Sequence, residues 1–329
     1  MIKYLLAFLS AIFLSIALGK ITIPLLKRLK AGQTILVYVS EHESKNGTPT
    51  MGGLFFIFAI ILAFVFFGGL KSNIARVCLV ITCAFMFVGF MDDFIKIRSK
   101  NNEGLKPYQK IIFQVLIGVI AGIYAYKTGI DFIYIPFFKT TFNLGLFTIP
   151  LLAVVFIAIT NSVNLTDGLD GLSGSVTVAY LLGFIAVIFA QSFYYGESYF
   201  FIQEFDGLML LSITSIGAIL GFLTFNVFRA KVFMGDTGSL ALGGLIGSLS
   251  IFSANTLLIP FIGIVFVISS LSVIIQVFYY KLTKKRVFLM APYHHHLIRK
   301  GLTENKIAYI YTLITIIFSV IILIGYLVF

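Results

Sequence analysis

Charge is scarce in this chain. Of its 329 residues, 11% are Asp, Glu, Lys or Arg and 59% are hydrophobic, against roughly 25% and 45–50% in soluble domains. A water-soluble globule needs more polar surface than that, and a mean hydropathy of +1.04 excludes a soluble multidomain protein. Cysteine is nearly absent too. Cys78 and Cys83 share one apolar run, and residues five apart on a helix turn away from each other, so no disulfide framework is expected. No internal repeat of the kind that marks secondary transporters is visible. Nor does a small-residue cleavage site follow the first apolar stretch, which therefore reads as an anchor and not a removable signal. Acidic residues number 13 against 24 basic ones, for a net charge of +11. Such a balance can mark nucleic-acid binding. In so apolar a chain it reads instead as basic loops at a membrane surface, and no nucleic-acid partner is expected.

What is present is a series of apolar runs, at 4–26, 51–70, 74–91, 111–126, 146–163, 172–190, 207–225, 237–253, 257–280 and 307–329. A helix needs about 20 apolar residues to span a bilayer, and a barrel strand about half that. The expected fold class is therefore all-α, a polytopic integral membrane protein with about ten transmembrane helices forming one domain over residues 1–329. Gly243, Gly244 and Gly247 in the eighth run read as close helix packing. Loops 27–50, 92–110, 164–171, 226–236 and 281–306 hold 18 of the 24 Lys and Arg, against five on the other side. The positive-inside bias places those loops in the cytoplasm and both termini outside. The outer segment 131–143 mixes Phe, Tyr, Ile and Pro and is expected along the interface.

Five aspartates stand where apolar runs meet inner loops: Asp92 and Asp93 after "GFM", Asp167 and Asp170 in "NLTDGLDGLSG", and Asp236 in "VFMGDTGS". A single helix-end aspartate commonly caps a helix or solvates a loop. Five on one side, two of them adjacent, repel one another unless cations sit among them. Lys96, one helical turn on, can serve one of the pair. Hard oxygen donors without clustered Cys or His point to Mg²⁺ or Mn²⁺ and not zinc. Glycines 168, 171, 235 and 238 allow backbone N–H groups to approach a phosphate. In "HESKNGTPTMGG", Lys45, Thr48 and Thr50 offer a charge and hydroxyls, or simply form a helix-entry turn. The run His294, His295, His296 cannot easily ligate one metal, because consecutive side chains diverge; it reads as binding phosphate or sugar, or as local structure. Lys284, Lys285 and Arg286 read as positives facing anionic lipid headgroups. Together these residues suit a reaction joining a soluble phosphorylated substrate to a lipid phosphate. An ion-coupled transporter would also place aspartates in a membrane protein, but near the midplane on broken helices.

The ordered motifs "GTPTMGG" (47–53), "MDDFIK" (91–96) with "GL" at 104–105, "NSVNLTDGLDGL" (161–172), "VFMGDTGSLALGG" (232–244) and "APYHHHL" (291–297) resemble the polyprenyl-phosphate N-acetylhexosamine-1-phosphate transferase superfamily. The triple histidine and "TPTMGG" favour its phospho-N-acetylmuramoyl-pentapeptide transferases over the N-acetylglucosamine-phosphate relatives. The resemblance implies transfer of phospho-MurNAc-pentapeptide from UDP-MurNAc-pentapeptide to undecaprenyl phosphate, giving lipid I and UMP, by a Mg²⁺-dependent homodimer in the bacterial cytoplasmic membrane. By motif position it implies Asp236 as Mg²⁺ ligand, Asp93 as support for the metal or diphosphate, and Asp92 as base toward the lipid phosphate. Asn164, Asp167 and Asp170 would bind the nucleotide side, Phe233 would stack on uracil, and Asn226 and Gly235 would line the pocket. Lys45, Thr50, Lys96 and Lys110 would contact phosphate or sugar, and His294, His295 and His296 the sugar-phosphate region. Arg229 stands where the family often has Pro.

Overall fold

The computed structural model describes residues 1–29, 47–99, 103–135, 138, 140–195 and 199–328. Among them every expected apolar run is helical: α1 (Ile2–Arg28), α2 (Gly53–Phe66), α3 (Asn73–Ser99), α4 (Pro107–Lys127), α5 (Thr148–Thr166), α6 (Leu172–Tyr195), α7 (Tyr199–Asn226), α8 (Gly235–Phe252), α9 (Leu258–Ile262), α10 (Ile264–Thr283) and α12 (Glu304–Val328), with a short α11 (Tyr293–Arg299) ahead of the last. Eight are long and apolar enough to cross a bilayer: α1, α3, α4, α5 with the turn before it, α6, α7, α10 and α12. The chain is thus a multi-pass, all-α membrane protein.

The other two long runs depart from that standard for a physical reason. Helix α8 is buried at every position from Thr237 to Phe252, so it faces protein and has no need of a lipid-compatible surface. It carries serines and glycines instead. Ser250 exchanges a hydrogen bond of 2.7 Å with the Tyr180 hydroxyl of α6. A Cβ on Gly243 would lie 2.5 Å from the Thr160 Cα of α5, and one on Gly244 would lie 2.6 Å from the Phe85 ring of α3. Close helix packing, expected from those glycines, is what α8 makes. Helix α2 has 14 residues, about 21 Å of rise, and buries most of its face against α1, α7 and α8.

Two expectations change in detail. The run 257–280 is not one helix: it breaks at Gly263 between α9 and α10, just after Pro260, which cannot donate a backbone bond. Segment 131–143, expected along the interface, contains an antiparallel hairpin, β1 (Phe132–Ile135) with β2 (Thr140–Asn143), registered from Phe132–Asn143 to Ile135–Thr140.

Helix α3 sets the long axis of the site. At its start, buried Glu204 of α7 accepts the backbone N–H groups of Asn73 (3.1 Å) and Ile74 (2.8 Å), a carboxylate at a helix N-terminus. Nearby, Lys3 and Tyr4 of α1 both bond Asp206 at 2.7 Å. Asp92 and Asp93 come five turns later, about 30 Å along the axis. The two charged ends of α3 are therefore far apart, and the three-carboxylate cluster found among the described residues, Asp92, Asp93 and Asp236, lies at the second of them.

Candidate active site

Four helix ends build the centre. Helix α3 supplies Asp92, Asp93 and, one turn on, Lys96. Helix α4 supplies Lys110 from its first turns, which Pro107 and a Gln109 side chain accepting the Lys106 N–H (2.9 Å) start in place. Helix α5 supplies Asn164 from its last turn, and α8 supplies Asp236 from its first. The three carboxylates offer oxygens that all lie within 4.8 Å of one another. Asp92 and Asp93 are buried, and the Asp236 side chain is 16% exposed.

Two ammonium groups lie among them. Lys96 Nζ is 2.6 Å from Asp92 Oδ2 and 3.3 Å from Asp236 Oδ2. Lys110 Nζ is 2.6 Å from Asp236 Oδ2 and 3.0 Å from Asp92 Oδ1. Among the described residues, buried Asp92 Oδ2 makes no hydrogen bond of acceptable geometry, and its close contact is the ion pair with Lys96. Its other oxygen accepts the Leu105 N–H at 2.8 Å. That crossing demands glycine beside it, since a Cβ on Gly104 would lie 2.4 Å from the same oxygen.

Asp93 has different work. Its Oδ2 accepts the Thr237 N–H (2.9 Å) and hydroxyl (2.7 Å), and its Oδ1 accepts the Asp236 N–H (3.3 Å). It thus caps the first turn of α8 from another helix, satisfying N–H groups that have no partner within α8. Asn164 orients Asp236, donating from Nδ2 to its Oδ1 (2.9 Å) and to Ser239 Oγ (2.8 Å). Neither Thr237 nor Ser239 stands out in the sequence. Their only signal is a Thr and a Ser in the first turn after Gly235, where side chains commonly bond helix ends.

The loops at this end are tied together. Asp170 accepts the Ala230 N–H at 3.0 Å, while its own N–H donates to Glu304 Oε2 at 3.2 Å. Asn226 accepts the Gly171 N–H (3.0 Å) and donates to the Val232 carbonyl (2.9 Å). Both side chains are buried, bracing loop 167–171 against 227–234. Glu304 has no sequence signal beyond its place in the first turn of α12. Phe233 is half-buried, its N–H bonded to the Pro49 carbonyl (2.8 Å) and its carbonyl to the Gly52 N–H (2.9 Å). Thr50 is buried beside Gly235, where a Cβ would fall 2.6 Å from Thr50 Oγ1 and the backbone φ of +73° suits glycine. Asp167, half-buried at the end of α5, is held well above the usual carboxylate range by burial, and then by the negative charges of Asp236, Asp93 and Asp170. Lys45 lies outside the described residues.

The histidines divide into a pair and a single residue: His294 and His295 both reach Gly168, where a Cβ would lie 2.4 Å and 3.2 Å from their Nε2 atoms, and His296 points elsewhere. His294 is fully buried under loop 167–171. Neither of its ring nitrogens has a hydrogen-bond partner among the described residues, and burial, then the neighbouring His295 (ring centroids 4.4 Å), keeps it far below its ordinary pKa and neutral. His296 turns the other way, accepting the Leu289 N–H at 3.1 Å and packing on Tyr293 and Phe288.

The donor set fits a divalent cation: carboxylate oxygens of Asp92, Asp93 and Asp236, from two helices, lie within 4.8 Å of one another with no soft ligand among them. A site of this kind, beside lysines and a glycine-bearing loop, can neutralise a diphosphate and hold it against an attacking anion.

Comparison with known proteins bears on what that chemistry is. Residues 75–254 match the family model described as glycosyl transferase family 4, and residues 45–57 match the phospho-N-acetylmuramoyl-pentapeptide-transferase signature 1. The chain is 44% identical over 317 residues to a phospho-N-acetylmuramoyl-pentapeptide-transferase of Clostridium perfringens (strain SM101 / Type A), covering 96% of this chain and 94% of that protein. The proteins of the same name from Clostridium beijerinckii and Clostridioides difficile (strain 630) are 45% and 41% identical, over 93% and 94% of this chain and 91% and 93% of their own. The glycosyl transferase match runs from the start of α3 to just past α8, and so contains Asp92, Asp93, Lys96, Lys110, Asn164, Asp167, Asp170, Asn226, Phe233, Gly235 and Asp236.

Proposed function

The chain belongs to glycosyl transferase family 4, and within it to the phospho-N-acetylmuramoyl-pentapeptide-transferases; from that premise we propose that it transfers phospho-MurNAc-pentapeptide from UDP-MurNAc-pentapeptide to undecaprenyl phosphate, giving lipid I and UMP, with Mg²⁺. The observation that carries the reading is the cluster of Asp92, Asp93 and Asp236 with Lys96 and Lys110 at one end of a membrane bundle. Such a centre serves a soluble phosphate and a lipid phosphate together.

In this reading an oxygen of the lipid phosphate forms a bond to the sugar-linked phosphorus, and the bond from that phosphorus to the UMP oxygen breaks. Asp236 and Asp93 would hold Mg²⁺, which when bound supplies positive charge to the diphosphate oxygens. Lys96 and Lys110 take up further charge at a water-poor, preorganised site. Asn164 keeps Asp236 in its orientation. A phosphate monoester, with a second pKa of about 6, is already largely ionised at neutral pH. Asp92 therefore serves chiefly to orient the attacking phosphate, receiving at most one residual proton. Phe233 is assigned to the uracil face, Asn226, Gly235, Asp167 and Asp170 to the nucleotide side, and Thr50, Lys45 and the three histidines to the phosphate and sugar. The assay is UMP release by purified protein with undecaprenyl phosphate and Mg²⁺. Release is expected with UDP-MurNAc-pentapeptide and not with UDP-GlcNAc; the reverse preference would move the chain to the GlcNAc-phosphate branch.

The working arrangement is a homodimer in the bacterial cytoplasmic membrane. Its single catalytic domain presents loops 27–50, 92–110, 164–171, 226–236 and 281–306 to the cytoplasm and both termini outside. Topology gives a direct check. With Cys78 and Cys83 replaced, Lys285→Cys should react with an impermeant maleimide only in inside-out vesicles, and Lys127→Cys only in intact cells. Labelling of Lys285→Cys from outside would reverse the orientation.

A further inference from the structure

An amide pair joins two helices just behind the site. Asn161 of α5 donates from Nδ2 to Gln114 Oε1 of α4 at 2.8 Å, and to the Ile157 carbonyl of its own helix at 2.7 Å. Gln114 is fully buried, and its Nε2 has no hydrogen-bond partner among the described residues. A buried amide with an unpaired donor is a poor stabilising device, and hydrogen bonds between membrane helices contribute little on average. What such a bond fixes is register, because it is directional and apolar contact is not. Its place gives that register a use. Gln114 stands one turn after Lys110 on α4, and Asn161 stands one turn before Asn164 on α5. Farther along the antiparallel seam the contact is one of shape alone. A Cβ on Gly118 would lie 2.6 Å from the Ala153 Cα, and one on Gly122 would lie 2.7 Å from the Ile149 Cα.

The two helices are not equally secured. Helix α5 is seated on α8 as well as on α4: Asn164 bonds both Asp236 and Ser239, and Thr160 lies against Gly243. Helix α4 packs mainly on α5 and leaves Ile111, Ile112, Leu116, Ile120 and Ile123 exposed on its other side. Without the amide bond, α4 is therefore the helix free to shift, and Lys110 shifts with it. One residue of slip is about 1.5 Å of rise, and a displacement of about 1 Å at a reacting centre can cost about 10²-fold. We propose that Gln114 is a positioning residue for the reaction: its bond to Asn161 sets the register of α4 on α5 and so keeps Lys110 level with Asn164 and Asp236. The inference rests on the reading above that Lys110 takes up charge from the donor's diphosphate.

The experiment is a double-variant cycle on the full-length purified protein. It is read as turnover in the UMP-release assay and as the dissociation constant of uridine diphosphate with Mg²⁺ present. Gln114→Met keeps the length and bulk of the side chain without its polar atoms. It is expected to lower turnover about tenfold and to weaken uridine diphosphate about threefold, with the melting temperature within about 2 °C of wild type. In the Lys110→Met background the same substitution should change either quantity by less than about twofold, because the group it acts through is gone. Gln114→Glu keeps the accepting oxygen and should stay within about threefold of wild-type turnover. Asn161→Leu removes the bond from the other helix, and decides the matter if Gln114→Met does not fold. An equal loss from Gln114→Met in both backgrounds, or no loss in the wild-type background, would overturn the positioning role while leaving Lys110 at the diphosphate. Wild-type turnover and uridine diphosphate affinity in Lys110→Met would instead remove Lys110 from the diphosphate, and the inference would fall with that reading.

Discussion

Asp236→Asn is expected to lower turnover by about 10²-fold or more at saturating Mg²⁺, a loss of the several kcal/mol that a metal's charge neutralisation supplies. Three facts set the size of the effect. Asp236 receives both lysines on one oxygen, Lys110 at 2.6 Å and Lys96 at 3.3 Å. Asn164 holds its other oxygen at 2.9 Å. It also stands on the first turn of α8, where a carboxylate and the helix N-terminus act together. The amide keeps the shape of the side chain but removes the charge, and it leaves Lys96 and Lys110 to share Asp92. The fold should survive, because the α8 cap is made by Asp93 and not by Asp236. The measurement is kcat over a Mg²⁺ titration, with melting temperature as the check on folding. Near-normal turnover at high Mg²⁺ would remove Asp236 from the centre.

Asp92 and Asp93 are adjacent but should fail in different ways. Consecutive helical residues point about 100° apart. Asp92 faces Lys96 and Lys110 in ion pairs, whereas Asp93 faces α8 with three hydrogen bonds. Asp92→Asn should cut turnover sharply with little change in melting temperature or in uridine nucleotide affinity. The loss should persist toward higher pH, since the lipid phosphate is already largely ionised at neutral pH; recovery there would make Asp92 a base and not an orienting group. Asp93→Ala should instead lower stability by about 1–3 kcal/mol, the range for leaving buried donors unpaired. Its activity loss should follow the displacement of the first turn of α8, with a shift in Mg²⁺ dependence. The two readouts are pH–rate profiles and thermal melts on the single variants. Matching profiles and matching melts would show that the pair acts as one undifferentiated negative site.

The residues of this centre are legible because charge is so rare here. In a chain that is 59% hydrophobic, an Asp at the end of an apolar run is conspicuous, and "MDDFIK" already puts Lys96 one turn from Asp92. What each aspartate holds is not legible. Asp93 meets Thr237 at 144 positions' distance, and Asp170 meets Ala230 at 60; no local pattern encodes either contact. Asp170 and Asn226 read as pocket residues in sequence, and in three dimensions they also tie two loops together. The histidines show the same limit, since a run of three identical residues says nothing of which is buried, and α11 sends His294 under Gly168 and His296 toward Tyr293.

By itself the sequence determined the membrane class, the helical runs and the charged groups from which a phosphate site can be made. Each depends on composition or on neighbours within a few turns, and burial of apolar side chains and backbone pairing in lipid act on that scale. Only the tertiary structure decided that α8 is wholly enclosed, that Gly263 divides the ninth run, and that Lys96 and Lys110 enter the carboxylate cluster. Those outcomes depend on which helix faces are brought together, and a charge buried by that packing takes whatever partners the neighbouring helices present.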